Sequence, residues 1–569
     1  MEEPYETADA EGLLHSPEAS AVTLPAPPRL YPAPPRASSP RHSIPAGPGR
    51  ERPGAVARHL TRRPARPLLR TWLVSFFVLL VAIAAWSFAS PLGSGPDEPA
   101  HLVRAASLVR GQLVGQELPH PTSAQKSTVV VKVPEVFASL ETDISCFQFR
   151  PTAPAGCQHP LNGSTHTVSV ETYVGRYPPL YYALVGLPTL VLVSVKGIYA
   201  ARLVSGALSA AMLALAITSL RRCRAAPLLA AGLALAMTPM VLYLAAVISP
   251  SGLEIASAIS AWTAAMALAS QRPGEVSASA AGTLGVSISV LLLTRALAPL
   301  WVVFILAAFI GVGVATPLKD LWRRRCVQAW FAVCVLAGVL SLVWDLLANP
   351  FLTEPGSPLP AGVTEGGIFE LALERLDLLV TSSIGQFGWL DAPSPYLVIV
   401  LWLGALGATV LIGACLARRR AVTLVAGTVV AWVVVPTVMI MSTAHQEGIL
   451  GQGRDFMGLA VGIPIVAAFV AGERFLDRRT TLRLAGVVVA LLALGQAVDF
   501  YAALRRFAVG TSGPLDAFSA VARGWHPPIP GVVLVIVFTV AIVAFALILR
   551  RVAEAQPAAA GPALLPAHQ

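Results

Sequence analysis

Two carboxylates, an imidazole and a guanidinium stand close together in Pro96-Asp97-Glu98-Pro99-Ala100-His101-Leu102-Val103-Arg104. A proline in the first turn of a helix sacrifices no hydrogen bond, so Pro96 or Pro99 can start one here. At helical spacing Asp97, His101 and Arg104 then fall on one face. Two acids at a helix start also serve as a plain cap. Beside a membrane cavity, a carboxylate is equally a general base, because partial desolvation raises its pKa toward neutrality. Asp97 is the expected base, with Glu98 orienting an acceptor or standing in for it.

Three further clusters carry chemistry. In Gly451-Gln452-Gly453-Arg454-Asp455 a guanidinium can hold a phosphate bidentately; its plainer role is a salt bridge to Asp455 or an interfacial anchor. Arg202 and Arg295 are other cations of the same side. In Gly388-Trp389-Leu390-Asp391-Ala392-Pro393, Trp389 is an interfacial anchor or a platform for a sugar ring, with Asp391 accepting hydroxyl hydrogen bonds. In Ser249-Pro250-Ser251-Gly252-Leu253-Glu254, Glu254 is a second acid near membrane level or a helix cap. No Walker loop, dinucleotide fingerprint, zinc pattern or nucleophile elbow stands out, so no cofactor is evident. His101, His120, His159 and His166 match no metal spacing; no metal is expected, and the need for a divalent ion is left open.

The elements that must position these residues follow from composition. The 569 residues are 55% hydrophobic and 13% charged, about half the charge of a soluble domain. Mean hydropathy is +0.67. Such a chain is an all-α integral membrane protein, and soluble enzyme folds are excluded for most of its length. The net charge of +10 sits in short clusters between apolar runs, the pattern of cytoplasmic loops rather than of a nucleic-acid groove. Of six cysteines, Cys146 and Cys157 share one hydrophilic loop and can bridge if it faces an oxidising compartment.

Residues 1–70, rich in proline and arginine, read as a disordered cytoplasmic tail. Residues 71–550 form the membrane domain, with a first outer loop at 90–177 and a second at 349–395; 551–569 is a cytoplasmic tail. The charge clusters Arg221-Arg222, Arg323–Arg325, Arg418–Arg420, Arg478-Arg479 and Arg550-Arg551 all land inside only if Tyr177–Lys196 does not cross. That apolar run, opening with Tyr177-Pro178-Pro179, is therefore expected to be one re-entrant or interfacial helix. About twelve transmembrane helices remain, with both termini cytoplasmic. Non-crossing backbone at membrane depth is tolerated against protein or a water-filled cavity, which predicts a cavity beneath the outer surface.

The motifs together resemble a bacterial family of predicted multi-pass membrane proteins, domain-of-unknown-function family 2142, over roughly residues 72–500. The resemblance rests on Pro96-Asp97-Glu98 with His101, Tyr177-Pro178-Pro179-Leu180-Tyr181-Tyr182, Ala201-Arg202-Leu203, Thr238-Pro239-Met240, Gly388-Trp389-Leu390-Asp391 and Gln452-Gly453-Arg454. The family is similar to the type-C (GT-C) glycosyltransferases, polytopic enzymes with an acid in the first outer loop. This implies a GT-C-like fold in a bacterial plasma membrane. It also implies transfer of a sugar from a polyprenyl-phosphate carrier to a glycan or lipid acceptor of the cell envelope. Asp97 would be the base, with His101, Arg104, Arg202, Trp389, Asp391, Gln452 and Arg454 around the substrate. Two positions depart from the family pattern: Ser251 stands where relatives carry aspartate, and Asp455 where they carry tyrosine. The other readings are a non-catalytic assembly protein for envelope polysaccharide and a transporter or flippase of lipid-linked glycan, against which the lack of internal repeats counts.

Overall fold

The computed structural model describes residues 65–555 except 120, 122–125, 162, 224, 274–275, 315, 351–358, 361, 417–418, 473–476 and 521–523. Most of the expected tails, 1–64 and 556–569, and His120 lie outside the described residues. Both tail boundaries move. Residues 65–70 are the first turns of the helix Ala65–Ala89, and the last helix, Gly531–Glu554, runs past residue 550.

Among the described residues, nine helices are long and apolar enough to cross a bilayer. Ala226–Ala236 and Pro239–Ala246, bent by 59° at their junction, make a tenth if taken as one span. The expectation of about twelve also counted Ala278–Leu292 and Ala298–Gly311. These have 15 and 14 residues, fewer than the roughly 20 a straight crossing needs. The run 177–196 forms no span. It breaks into Pro179–Val185 and Pro188–Val191 before the long helix Val195–Leu220 begins. Pro179 and Pro188 each sit in a first helical turn, and Leu187 and Val191 stand exposed, as an interfacial segment requires.

At the centre lies Pro250–Ala269, every residue of which is buried. It packs on Val195–Leu220, Ala278–Leu292, Ala298–Gly311 and Pro239–Ala246. Gly252 permits the last contact: a Cβ there would sit 2.5 Å from the Leu244 carbonyl oxygen. Ala65–Ala89 packs on Val195–Leu220 and Gly531–Glu554, closing the other side.

The segment after the first span folds on one end of this bundle around its own apolar core. Its helix Glu98–Leu108 packs against an antiparallel sheet of Gln116–Glu117, Val129–Pro134 and Thr167–Thr172, in which Val131 pairs with Val170. Val129, Val131 and Val133 alternate inward, the period of a half-buried strand, and meet Leu102, Phe137, Ile144, Tyr181 and Tyr182. Cys146 and Cys157 are disulfide-bonded within this segment.

The region expected as a second outer loop, 349–395, is largely ordered. Glu365–Gly385 is a helix of 21 residues, capped by Thr364, whose hydroxyl accepts from Gly367 N. Ile368, Ala372, Leu379 and Ser382 are buried at helical spacing against Arg419–Glu447 and Gly453–Ala460. Glu370, Glu374 and Asp377 on the exposed side, and Arg375 within the packed face, where it donates to the Gly451 carbonyl at 3.2 Å, interrupt the apolar run, so the stretch reads as loop by hydropathy alone.

Candidate functional site

Asp97 immediately precedes the helix Glu98–Leu108, and its side chain makes no capping bond. Its backbone is left-handed, with φ 58°, a conformation that costs a non-glycine residue about 1–3 kcal/mol and that aspartate tolerates better than most. The strain turns the carboxylate away from the helix end. One oxygen accepts from the Tyr173 hydroxyl at 2.7 Å, and the other is paired with Nη2 of Arg454.

The neighbouring acid has a different role from the one expected. Glu98 is fully buried, and its carboxylate accepts from Gly93 N, Gly95 N and Ile248 N at 3.1–3.2 Å and from two nitrogens of Arg202 at 2.6 Å. Arg202, equally buried, gives its remaining donors to the carbonyls of Ser87, Ser90 and Pro91. All five of its N–H groups are used, leaving none for a phosphate. Glu98 and Arg202 clamp the end of the first span beside Asp97, with their hydrogen bonds spent on each other and on the backbone.

His101 and Arg104 are also buried side chains. His101 Nδ1 lies 2.9 Å from the Tyr182 hydroxyl, and Arg104 donates to the carbonyls of Leu113 and Tyr177 at 2.8 and 3.1 Å. Burial pushes the imidazole down to about 3, despite the favourable charge of Asp97. His101 is therefore neutral near pH 7. Burial lowers Arg104 to about 10, still protonated there.

Arg454 comes from the far end of the chain. Gly453 donates its N–H to Ser382 Oγ at 2.9 Å, and a Cβ on it would sit 2.5 Å from the Leu379 carbonyl oxygen. Glycine thus lets the helix bearing Arg454 press against Glu365–Gly385. Asp455 accepts from Gln452 N at 3.1 Å.

Arg295 lies in the link between Ala278–Leu292 and Ala298–Gly311. It donates to Ser251 Oγ at 2.9 Å, lies 3.4 Å from Asp455 and 3.6 Å from Glu254, and faces the Tyr177 ring. Glu254 accepts from Trp301 Nε1 at 2.8 Å. Ser251 and Asp455 therefore meet on one arginine.

These groups form one row of alternating charge: Asp97, Arg454, Asp455, Arg295, Glu254. Side-chain exposure is 24% at Asp97, 25% at Asp455, 15% at Arg295 and 9% at Arg454, against 2% at Glu254 and zero at Glu98 and Arg202, so the row is partly exposed except at its Glu254 end. Within the row Arg454 Nε and Glu254 Oε2 make no hydrogen bond among the described residues and are held by charge alone, at 3.9 Å from Asp455 and 3.6 Å from Arg295.

The expected rise in the Asp97 pKa does not occur in this resting arrangement. Burial acts to raise it, but Arg454, His101 and the Tyr173 hydrogen bond together carry it below the ordinary aspartate value. Tyr173 is raised, chiefly by burial and then by Asp97, and remains a donor.

Trp389 and Asp391 brace the site. Trp389 Nε1 donates to the Gly93 carbonyl at 3.1 Å. Asp391, 4% exposed, accepts from Trp389 N on one oxygen and from Arg506 at 2.9 Å on the other, so both oxygens are engaged by the protein. Burial raises its pKa in spite of Arg506. Arg506 also bonds the carbonyls of Phe147, Arg150 and Ala153, inside the loop closed by Cys146–Cys157.

Sequence reasoning missed Tyr173 and Trp301 and gave Arg295 no role. Tyr173 follows the strand Thr167–Thr172 and carries no motif of its own. Only the fold of the strand onto Glu98–Leu108 brings it to Asp97.

A family described as "Predicted membrane protein (DUF2142)" matches residues 79–463. Two crystal structures of ArnT from Cupriavidus metallidurans are similar in architecture. One, bound to undecaprenyl phosphate, is 14% identical with a TM-score of 0.37, covering 86% of this chain and 78% of that one. The other, in the apo state, is 15% identical with a TM-score of 0.39, covering 84% and 77%. At that distance neither says what this chain binds. No curated protein matches.

Proposed function

This chain belongs to the DUF2142 family of predicted membrane proteins, and we propose that it transfers a sugar from a polyprenyl-phosphate carrier to a hydroxyl of an envelope acceptor at the outer face of the bacterial plasma membrane. The observation that carries the reading is the convergence of Asp97 and Arg454 in one partly open, charged site. An acid that can take a proton and a cation that can hold a phosphate are what the displacement needs.

The resting ion pair supplies the order of events. The carrier phosphate draws Arg454, and Arg295 beside it, away from their carboxylates. Asp97 then loses the positive charge that keeps its pKa low, keeps Tyr173, and becomes a better base. It accepts the acceptor's hydroxyl proton as the oxygen attacks the anomeric carbon. The carbon–oxygen bond to the phosphate breaks, and polyprenyl phosphate leaves as an anion held by the guanidinium groups. A single displacement inverts the anomeric centre. Glu254, whose Oε2 faces Arg295 at 3.6 Å, gains a free acceptor once the phosphate draws Arg295 away.

The bonded pair Cys146–Cys157 supports an oxidising compartment for the first loop, hence a cytoplasmic N-terminus and, with the bent pair counted as a tenth span, a cytoplasmic C-terminus. The test is purified protein with radiolabelled polyprenyl-phosphate sugar and an envelope acceptor extract. Wild type should release polyprenyl phosphate, and Asp97→Asn should release none while accumulating in the membrane normally. Movement of intact lipid without release would make the protein a flippase, and binding without either an assembly protein.

A further inference from the structure

Away from that site, within the helix Arg478–Val509, two side chains each carry one oxygen that no described residue satisfies. Asp499 is fully buried, and Gln496 is 6% exposed. Asp499 Oδ2 accepts from Ser394 Oγ at 2.8 Å, and Gln496 Nε2 donates to the Met237 carbonyl at 2.7 Å. Asp499 Oδ1 and Gln496 Oε1 have no partner among the described residues. Both unsatisfied atoms are acceptors, and at i, i+3 spacing their side chains are neighbours on one helix face. Two acceptors cannot satisfy one another, and an unpaired carboxylate inside a membrane bundle is among the costliest groups a protein can bury.

One added proton resolves both. We propose that the bundle holds a proton-binding site at this pair, in which protonated Asp499 donates its O–H to Gln496 Oε1 while its other oxygen keeps Ser394. The surroundings favour a proton over a counter-charge. Among the described residues, Ala226–Ala236 and Tyr396–Leu416, both packed on this helix, bear no charged side chain. Tyr396 and Cys415 of the latter are exposed at its ends. Gly531–Glu554 bears Arg550, Arg551 and Glu554 only in its last turns. Pro239–Ala246 presents Tyr243, which donates to the Ser94 carbonyl. Asp391, beside the Ala392–Pro393 strand, is taken by Arg506.

The bound proton has a structural consequence. Ser394 closes the root of the turn that carries Trp389 and Asp391, its N–H donating to the Gly385 carbonyl at 2.9 Å. A Cβ at Gly385 would run into Ser394 Oγ and lie 3.0 Å from Asp499 Oδ2, so serine, glycine and acid fit as one unit. Losing the proton would leave a bare carboxylate there and loosen the brace whose Trp389 reaches Gly93. The inference does not depend on the proposed transfer reaction.

The test uses the full-length protein in lipid nanodiscs. Infrared spectra at pH 7 should contain a protonated-carboxyl carbonyl band that shifts in deuterium oxide and is absent from Asp499→Asn. Gln496→Leu should move that band to higher frequency, because it loses its acceptor. Asp499→Asn should melt at the wild-type temperature, its amide N–H replacing the acid O–H, whereas Asp499→Leu should melt several degrees lower. Replacing choline chloride by sodium chloride should leave wild-type melting unchanged. The proposal falls if the band is missing, if the asparagine variant fails to fold, or if sodium stabilises wild type but not Asp499→Asn, which would make the occupant a metal cation.

Discussion

Asp97 and Arg454 lie 357 residues apart in the chain and share one ion pair, with Tyr173 on the remaining carboxylate oxygen. Each neutralises the other, so a ligand that engages either group must exchange for its partner. An anionic head group is suited to displace Asp97 from Arg454, and only then is the acid free to act.

That exchange separates binding from chemistry. Arg454→Gln should weaken donor binding, raising KM for the lipid-phosphate sugar on the order of 100-fold, since a charge-assisted bidentate contact is lost. Asp97→Asn should remove kcat and, because it frees Arg454, should not raise KM. Steady-state kinetics on both variants check this, and equal effects on KM would contradict it.

Glu98 sits next to Asp97 and should behave differently. It shares a fully buried pair with Arg202, and removing one member of such a pair costs about 3–5 kcal/mol. Glu98→Gln should accumulate poorly and melt early, and Asp97→Asn should do neither. Fluorescence size-exclusion profiles after heating distinguish the two. A stable, inactive Glu98→Gln protein would return Glu98 to the chemistry.

Ser251 and Asp455 both reach Arg295, at 2.9 and 3.4 Å, and should therefore be coupled. Ser251→Asp alone crowds a third carboxylate onto one guanidinium, and Asp455→Tyr alone removes one. The double variant restores the charge count. Transfer rates across the four proteins should show a coupling energy of about 1–2 kcal/mol, in the range seen for residues sharing a partner. Strict additivity would mean that the two sites are independent.

His101 makes stability fall on the acid side. Its folded pKa is about 3 against an ordinary 6.5, so between those values the unfolded chain binds a proton that the folded protein refuses. Stability should rise with pH across that window, by at most about 1.4 kcal/mol per unit from this group. His101→Gln keeps a partner for Tyr182 and should flatten the slope in denaturation measured from pH 4 to 7. An unchanged slope would assign the acid sensitivity elsewhere.

Much of this architecture was legible in the residues themselves. Apolar runs fixed the class, because a bilayer demands long apolar helices whatever their packing. Charge clusters fixed which run fails to span, and the structure gives two short helices in 179–191. Asp97 and Arg454 stood out as polar groups beside apolar runs. Local pattern misjudged Glu365–Gly385, whose charged face hides its helical period. It also placed Glu98, Arg202 and Asp391 at the substrate, when each spends its hydrogen bonds on the protein.

Spacing along the chain says which groups are chemically able, and it cannot say which are already satisfied. A carboxylate's freedom depends on what folds against it from hundreds of residues away. For Glu98 that is Arg202 and three backbone amides, and for Asp97 it is Tyr173 and a guanidinium that a ligand can draw off. Residue type and order determined a polytopic helical membrane protein with acid and arginine motifs. Tertiary packing alone decided which acid is locked and which is left at an opening, because burial and hydrogen-bond satisfaction belong to the assembled fold.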